Sequence, residues 1–184
     1  MAKKIIGNVN LSDLYLKQLP EILKDVSING HFFCSNNNLT SLDGAPNTVG
    51  GHFYCSYNKL TSLIGAPKTV GGDFFCAGNK LTSLQNAPKS VGGSFYCGNN
   101  QLISLKGAPK TIDGNFHCSF NNLESLEGAP QSVGNDFKCT FNNLESLEGA
   151  PQSVGGNFIC NSNPFIFSKR LVRDVSKVKG KIII

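Results

Sequence analysis

Apolar residues return along this chain in a fixed rhythm of 21 residues. One unit reads P-x-x-V-G-G-x-F-x-C-x-x-N-x-L-x-S-L-x-G-A. Within it, "x-F-x-C-x" alternates apolar positions with others, the period-two pattern of a short strand that buries one face. The phenylalanines are Phe32, Phe53, Phe74, Phe95, Phe116, Phe137 and Phe158. The cysteines are Cys34, Cys55, Cys76, Cys97, Cys118, Cys139 and Cys160. Both rows are expected to point inward. "V-G-G" and "G-A-P" break the chain and turn it back, and neither segment between them has the length or propensity for a helix. One coil per unit, stacked in parallel, gives a repeat solenoid with one parallel β-sheet and a side rich in turns and loops opposite it. The segment FNNLESLEGAPQSVG occurs unchanged at 120–134 and at 141–155, a mark of growth by duplication.

Each unit also carries an asparagine at a fixed offset: Asn37, Asn58, Asn79, Asn100, Asn121, Asn142 and Asn163. Turned inward, its amide can bond the backbone of the neighbouring turn and satisfy groups that have no ladder partner. A leucine follows each asparagine by two positions, with Phe165 in that place in the last unit. The ends depart from the period. Residues 1–27 read as an N-terminal cap, with "LSDLYLKQLPEIL" (11–23) out of phase; 28–165 hold seven units; 166–184 read as a C-terminal cap. There Ser168 can N-cap a short helix over 169–177, with Leu171, Val172, Val175 and Val178 on one face. Ile182 and Ile184 then take the Phe and Cys places in a final cap strand. An open solenoid end needs such covers, because it exposes core and strand edge.

The run F-x-C-x-x-N-x-L resembles the second half of the leucine-rich repeat core, L-x-x-L-x-L-x-x-N-x-L, in every unit up to the last. The valine stands four residues before the phenylalanine, not three, with Gly-Gly between. A parallel β-helix is the alternative architecture, and the repeated Asn-x-Leu favours the leucine-rich repeat. The style G-A-P-x-x-V-G-G-x-F-x-C-S-x-N-N-L is similar to leucine-rich repeat proteins of large tailed bacteriophages and some bacteria. That resemblance implies a protein-binding module that meets its partner with the outer face of the sheet. On the phage side it implies a host partner, for example an antiviral defence protein that is inhibited or redirected.

Composition narrows the rest. Charged residues are only 16% of the chain and the net charge is +5, a mild excess that permits acidic partners without demanding them. MAKKIIGNVN has too short an apolar run for a signal peptide, and no stretch approaches a membrane span. Seven cysteines without a leader point to the reducing cytoplasm. Stacked strands lie about 4.8 Å apart, whereas a disulfide wants Cβ atoms about 3.8 Å apart. A linear row does not converge on one point as metal ligands do, and no base stands near it to make a nucleophile. The thiols therefore read as small core residues. With no phosphate-cradling loop, catalytic carboxylate pair or triad, no catalytic residue, cofactor or metal is expected.

Residues flanking Phe and Cys must face outward. Between Phe and Cys the row runs Phe33, Tyr54, Phe75, Tyr96, His117, Lys138, Ile159. An aromatic strip on a rigid face is a candidate protein-binding site, although cross-strand pairs also stabilise a sheet by themselves. Tyr57, Phe120 and Phe141, just before the asparagine, would extend the patch. His31, His52 and Asp73 fall on one row before Phe; they are legitimate metal-ligand types, read here as solvated polar residues. Lys138, Asp73 and Asp136 would give the patch a polar edge, with His52 beside them as a candidate partner contact. Glu124, Glu127, Glu145 and Glu148 make the later loop edge acidic, while Lys59, Lys68, Lys80, Lys89, Lys106 and Lys110 make the middle basic. Nucleic acid, stacked on the aromatics and held by the basic C-terminal cap, is the less favoured alternative, because only Lys138 shares the aromatic row. A structural, self-associating role is the other.

Overall fold

The structure, a computed structural model, describes residues 3–184. A nine-stranded parallel sheet runs the length of the stack, from Val9–Asn10 through Phe32–Phe33, Phe53–Tyr54 and their successors to Ile182–Ile183. The register is that of the repeat: Phe53 pairs with Phe74 and Tyr54 with Phe75. Each coil donates to the next, as in Phe53 N–H to the carbonyl of Asp73 (2.9 Å) and Cys55 N–H to that of Phe75 (2.8 Å).

The inward phenylalanines stack upon one another at 5.1–5.7 Å between ring centres and are fully buried, with the cysteines and leucines packed beside them. Burying one such ring is worth about 1.5–3 kcal/mol. The asparagines behave as their offset predicts. Asn79 donates from Nδ2 to the carbonyls of Cys55 and Cys76, both at 3.1 Å, and its Oδ1 accepts from Leu60 N–H at 3.1 Å. Two adjacent coils and their turn are thereby tied at one point.

Where the sequence predicts one sheet, the structure has that sheet and adds a side ladder. The "T/S-V" pairs before Gly-Gly are themselves strands: Thr48–Val49, Thr69–Val70 and Ser90–Val91 join Lys3–Ile5 and Val26–Ile28 in a five-stranded ladder. Thr111–Ile112, Ser132–Val133, Ser153–Val154 and Lys177–Val178 form a four-stranded one. The valines fill the core from this side. The first glycine of each Gly-Gly allows the close approach: a Cβ on Gly50 would stand 2.6 Å from the carbonyl oxygen of Asn29, and one on Gly71 would collide with that of Gly50. Asp113 is the exception, and there the ladder parts. Gly92 N–H reaches the Val70 carbonyl (2.9 Å) and Gly134 N–H that of Ile112 (2.8 Å), but no such bond joins Asp113 to Val91.

The N-terminal segment supplies strands to both ladders. Lys3–Ile5 pairs with Val26–Ile28, and Val9 pairs with Phe32, 23 residues on. Ile5-x-Gly7-x-Val9-x-Leu11 therefore repeats the V-x-G-x-F-x-C pattern in a longer coil.

At the other end, helix α1 spans Lys169–Val175, with Leu171 N–H donating to Ser168 Oγ at 3.1 Å. The predicted apolar face is not the buried one: Leu171 and Val175, one turn apart, are both exposed, Val172 is buried, and Val178 lies beyond the helix in a strand, half-buried. Phe165 also departs from its leucine place; it is exposed, and Phe167 takes the buried position. Ile182 lies under Phe158's row as predicted, while Ile184, in the Cys place, is exposed.

Candidate functional site

The outward row of the main sheet is an ordered stack. Phe33 and Tyr54 stand 4.8 Å apart at 6°, Tyr54 and Phe75 4.6 Å at 5°, and Phe75 and Tyr96 4.6 Å at 1°. Parallel in-register pairing forces this, since each ring inherits the position of the one below it plus one strand spacing. The ring faces cover each other, and the edges form the surface. All four are half-buried. Burial, and after it the Asp73 carboxylate, raises the Tyr54 phenol above its usual range, so it remains a hydroxyl donor.

The stack ends at His117, whose ring meets Tyr96 edge-on at 80° and 4.9 Å. Its Nε2 is buried and has no hydrogen-bond partner among the described residues. Burial chiefly, and then Lys138, pushes its pKa down to about 4, against the opposing pull of Asp136, so the ring is neutral at neutral pH. Lys138 and Ile159 complete the row, half-buried.

The row before Phe is a hydrogen-bond ladder rather than a set of solvated residues. His31 N–H donates to Asn8 Oδ1, His52 N–H to His31 Nδ1 and Asp73 N–H to His52 Nδ1, each at 2.8 Å. Ser94 N–H continues to Asp73 Oδ1 (2.6 Å), Asn115 to Ser94 Oγ (2.9 Å), Asp136 to Asn115 Oδ1 (3.1 Å), Asn157 to Asp136 Oδ1 (2.8 Å) and Lys181 to Asn157 Oδ1 (2.8 Å). Every coil lends one side-chain acceptor to the next backbone. Nδ1 of His31 and Nδ1 of His52 are the acceptors in these bonds. The signal was in the residue types: Asn, His, Asp and Ser share only the ability to accept.

The row before asparagine is a corner row. Asn36, Tyr57, Gly78, Asn99, Phe120, Phe141 and Ser162 all have positive φ, from 52° to 66°. Asn and Gly suit that left-handed turn; an aromatic there is strained by about 1–2 kcal/mol. Yet Tyr57 is 64% exposed and Phe120 and Phe141 50% each, so burial does not offset that strain. Phe120 and Phe141 stack at 4.4 Å and 8°.

The thiols are closed off. Cys34 Sγ donates to the Tyr54 carbonyl and Cys55 Sγ to that of Phe75, both at 3.2 Å. All seven are free and buried, and burial pushes every one of them up, Cys160 to about 11 and the others further. Among the described residues no helix is long and apolar enough to cross a membrane.

The solved leucine-rich repeat domain of a Shigella effector matches this structure over 95% of this chain and 81% of its own, with a TM-score of 0.70 and 20% sequence identity. By sequence, no family model and no curated protein matches. The molecule has the leucine-rich repeat fold.

Proposed function

We propose that this leucine-rich repeat solenoid is a non-catalytic protein-binding module, and that its partner docks on the outward face of the main sheet. The observation that carries the reading is the strip Phe33, Tyr54, Phe75, Tyr96: four aromatics held parallel within 6° before any partner arrives. Binding usually costs the freezing of side chains, about 0.5–1.5 kcal/mol for each flexible one. Here mutual stacking has already frozen them. His117, neutral and with an unpartnered Nε2, and Lys138 extend the strip toward later coils. His52 and Asp73 flank it, their ladder atoms engaged. Tyr57, Phe120 and Phe141 border it at the corner.

The same stacking favours protein over nucleic acid. A base needs an open ring face, and these faces cover one another at 4.6–4.8 Å. The fold is one whose usual role is a binding scaffold. The resemblance of the repeat to phage leucine-rich repeat proteins supports a finer reading: a phage-encoded chain acting in the host cytoplasm, where it blocks or redirects a host protein such as a defence component.

The test is an affinity capture from nuclease-treated bacterial lysate, with wild type beside a Tyr54→Ala/Phe75→Ala/Tyr96→Ala variant. One protein held by wild type at moderate salt and lost by the folded variant is the expected result. Equal retention by both baits would reject the sheet face.

A further inference from the structure

The loop edge that carries the corner row also carries four charges of opposite sign, sorted along the stack. Lys59 and Lys80 stand on two coils before the one holding Asn99, Gln101 and Ile103; Glu124 and Glu145 stand on the two coils after it. All four are exposed. Elsewhere neighbouring coils do form ion pairs, as Lys106 Nζ does with Glu127 Oε1 at 2.9 Å, but among the described residues these four form none.

The apolar groups on this edge are sorted by the same centre. Tyr57 lies two coils before Asn99 and Phe141 two coils after; Gly78 lies one before and Phe120 one after. Ile103, 69% exposed, sits on the central coil itself. Tyr57 leans over Gly78, where a Cβ would stand 2.6 Å from its Cδ1. The result is a flat platform on one side of the centre and a raised pair of phenylalanines on the other.

We propose that this edge binds a second copy of the same chain, antiparallel, about a two-fold axis at the coil of Asn99–Ile103. With the axis perpendicular to the stack and lying in the contact, each row faces itself in reversed coil order, as an isologous interface requires. Phe141 then meets Tyr57, and Phe120 meets the space over Gly78. Ile103 meets Ile103. Lys59 faces the coil of Glu145 and Lys80 that of Glu124, offset by two chain positions, roughly 6–7 Å, which a lysine side chain spans. A parallel pairing would set lysine on lysine and glutamate on glutamate, so charge selects the antiparallel one. The aromatics at left-handed positions, which the monomer does not need, become the apolar centre of this contact.

The experiment is sedimentation equilibrium on the purified chain, with no other protein present, so its outcome is separate from any partner on the sheet. The wild type is expected to dimerise. Phe141→Asn, which the same backbone accepts at Asn36 and Asn99, should weaken the dimer by about tenfold or more. Glu145→Lys should weaken it similarly, and adding Lys59→Glu should restore it. Because the native thiols are buried, Ile103→Cys reports the axis directly: under a mild oxidant it should link to its own copy far faster than Thr40→Cys, three coils away. A wild type that stays monomeric at high concentration overturns the proposal. So do equal linking rates, and so does a charge swap that fails to restore pairing.

Discussion

Replacing Asn79 tests the interior of the stack. In Asn79→Ala three well-made bonds vanish, to the carbonyls of Cys55 and Cys76 and from Leu60 N–H. The losses are unequal. Cys55 O still accepts from Asn58 Nδ2 (3.2 Å) and Cys76 O from Asn100 Nδ2 (3.1 Å), because both of these carbonyls are shared by two asparagines. Leu60 N–H keeps nothing. One orphaned buried donor costs about 1–3 kcal/mol, and each of two bonds to groups that retain a partner about 0.5–1.5. The expected destabilisation is about 2–6 kcal/mol, read as a lower urea midpoint at unchanged slope. Asn79→Asp separates the donor from the acceptor. Its carboxyl still accepts from Leu60 but faces two carbonyls, which favours the protonated form and raises the folded-state pKa above the unfolded value of about 3.9. A group raised in the folded state contributes its stability below the unfolded pKa and loses it as pH rises through the folded one. Relative to wild type, the aspartate variant should therefore be nearly as stable near pH 4 and increasingly deficient toward pH 7. A cost below about 1 kcal/mol for the alanine variant, or a pH-independent deficit for the aspartate, would refute the shared-amide account.

Four further outcomes are expected. Phe95→Ala, between Phe74 at 5.1 Å and Phe116 at 5.5 Å, should lose about 3–5 kcal/mol in urea unfolding; an unmoved midpoint would contradict its core position. Hydrogen exchange should find the Asp113 amide less protected than that of Gly92, and Asp113→Gly should raise its protection by letting the side ladder close. In a thiol-reagent assay at pH 8 the native chain should react slowly at every cysteine, with Cys160 first, since its thiol is pushed up only to about 11 while the others rise further. The His117 imidazole resists protonation down to about 4 in the fold, whereas the unfolded chain takes the proton near pH 6.5. Stability should therefore fall as pH drops between those values, and less steeply in His117→Gln; equal slopes would show that the ring's burial does not matter.

Much of this was legible because one period governs the coils from Phe32 to Phe158. The inward Phe and Cys rows, the Asn amide and the Ser168 cap follow from spacing and residue type alone. The side ladder was hidden behind its own glycines: "V-G-G" reads locally as a turn, and only the neighbouring coil's carbonyl reveals why glycine is required. The N-terminal coil escaped because its period is 23, not 21. The acceptor ladder through His31, His52 and Asp73 was present as a shared chemistry under different letters, which a search for identical residues passes over. Phe120 and Phe141 concealed a left-handed turn that Asn36, Gly78 and Asn99 announce in the same row. The edge-on His117 ring depends on packing against Tyr96, which spacing does not encode.

The acceptor ladder has a consequence for how such a chain changes over generations. Each coil gives one side-chain acceptor forward and takes one from behind, so a coil removed or added as a whole leaves every seam closed. Recombination between the identical stretches at 120–134 and 141–155 would alter the protein by one such quantum, with no compensating substitution at the join. The length of this molecule is therefore inherited in steps, and the surface it offers can widen or narrow by one strand at a time.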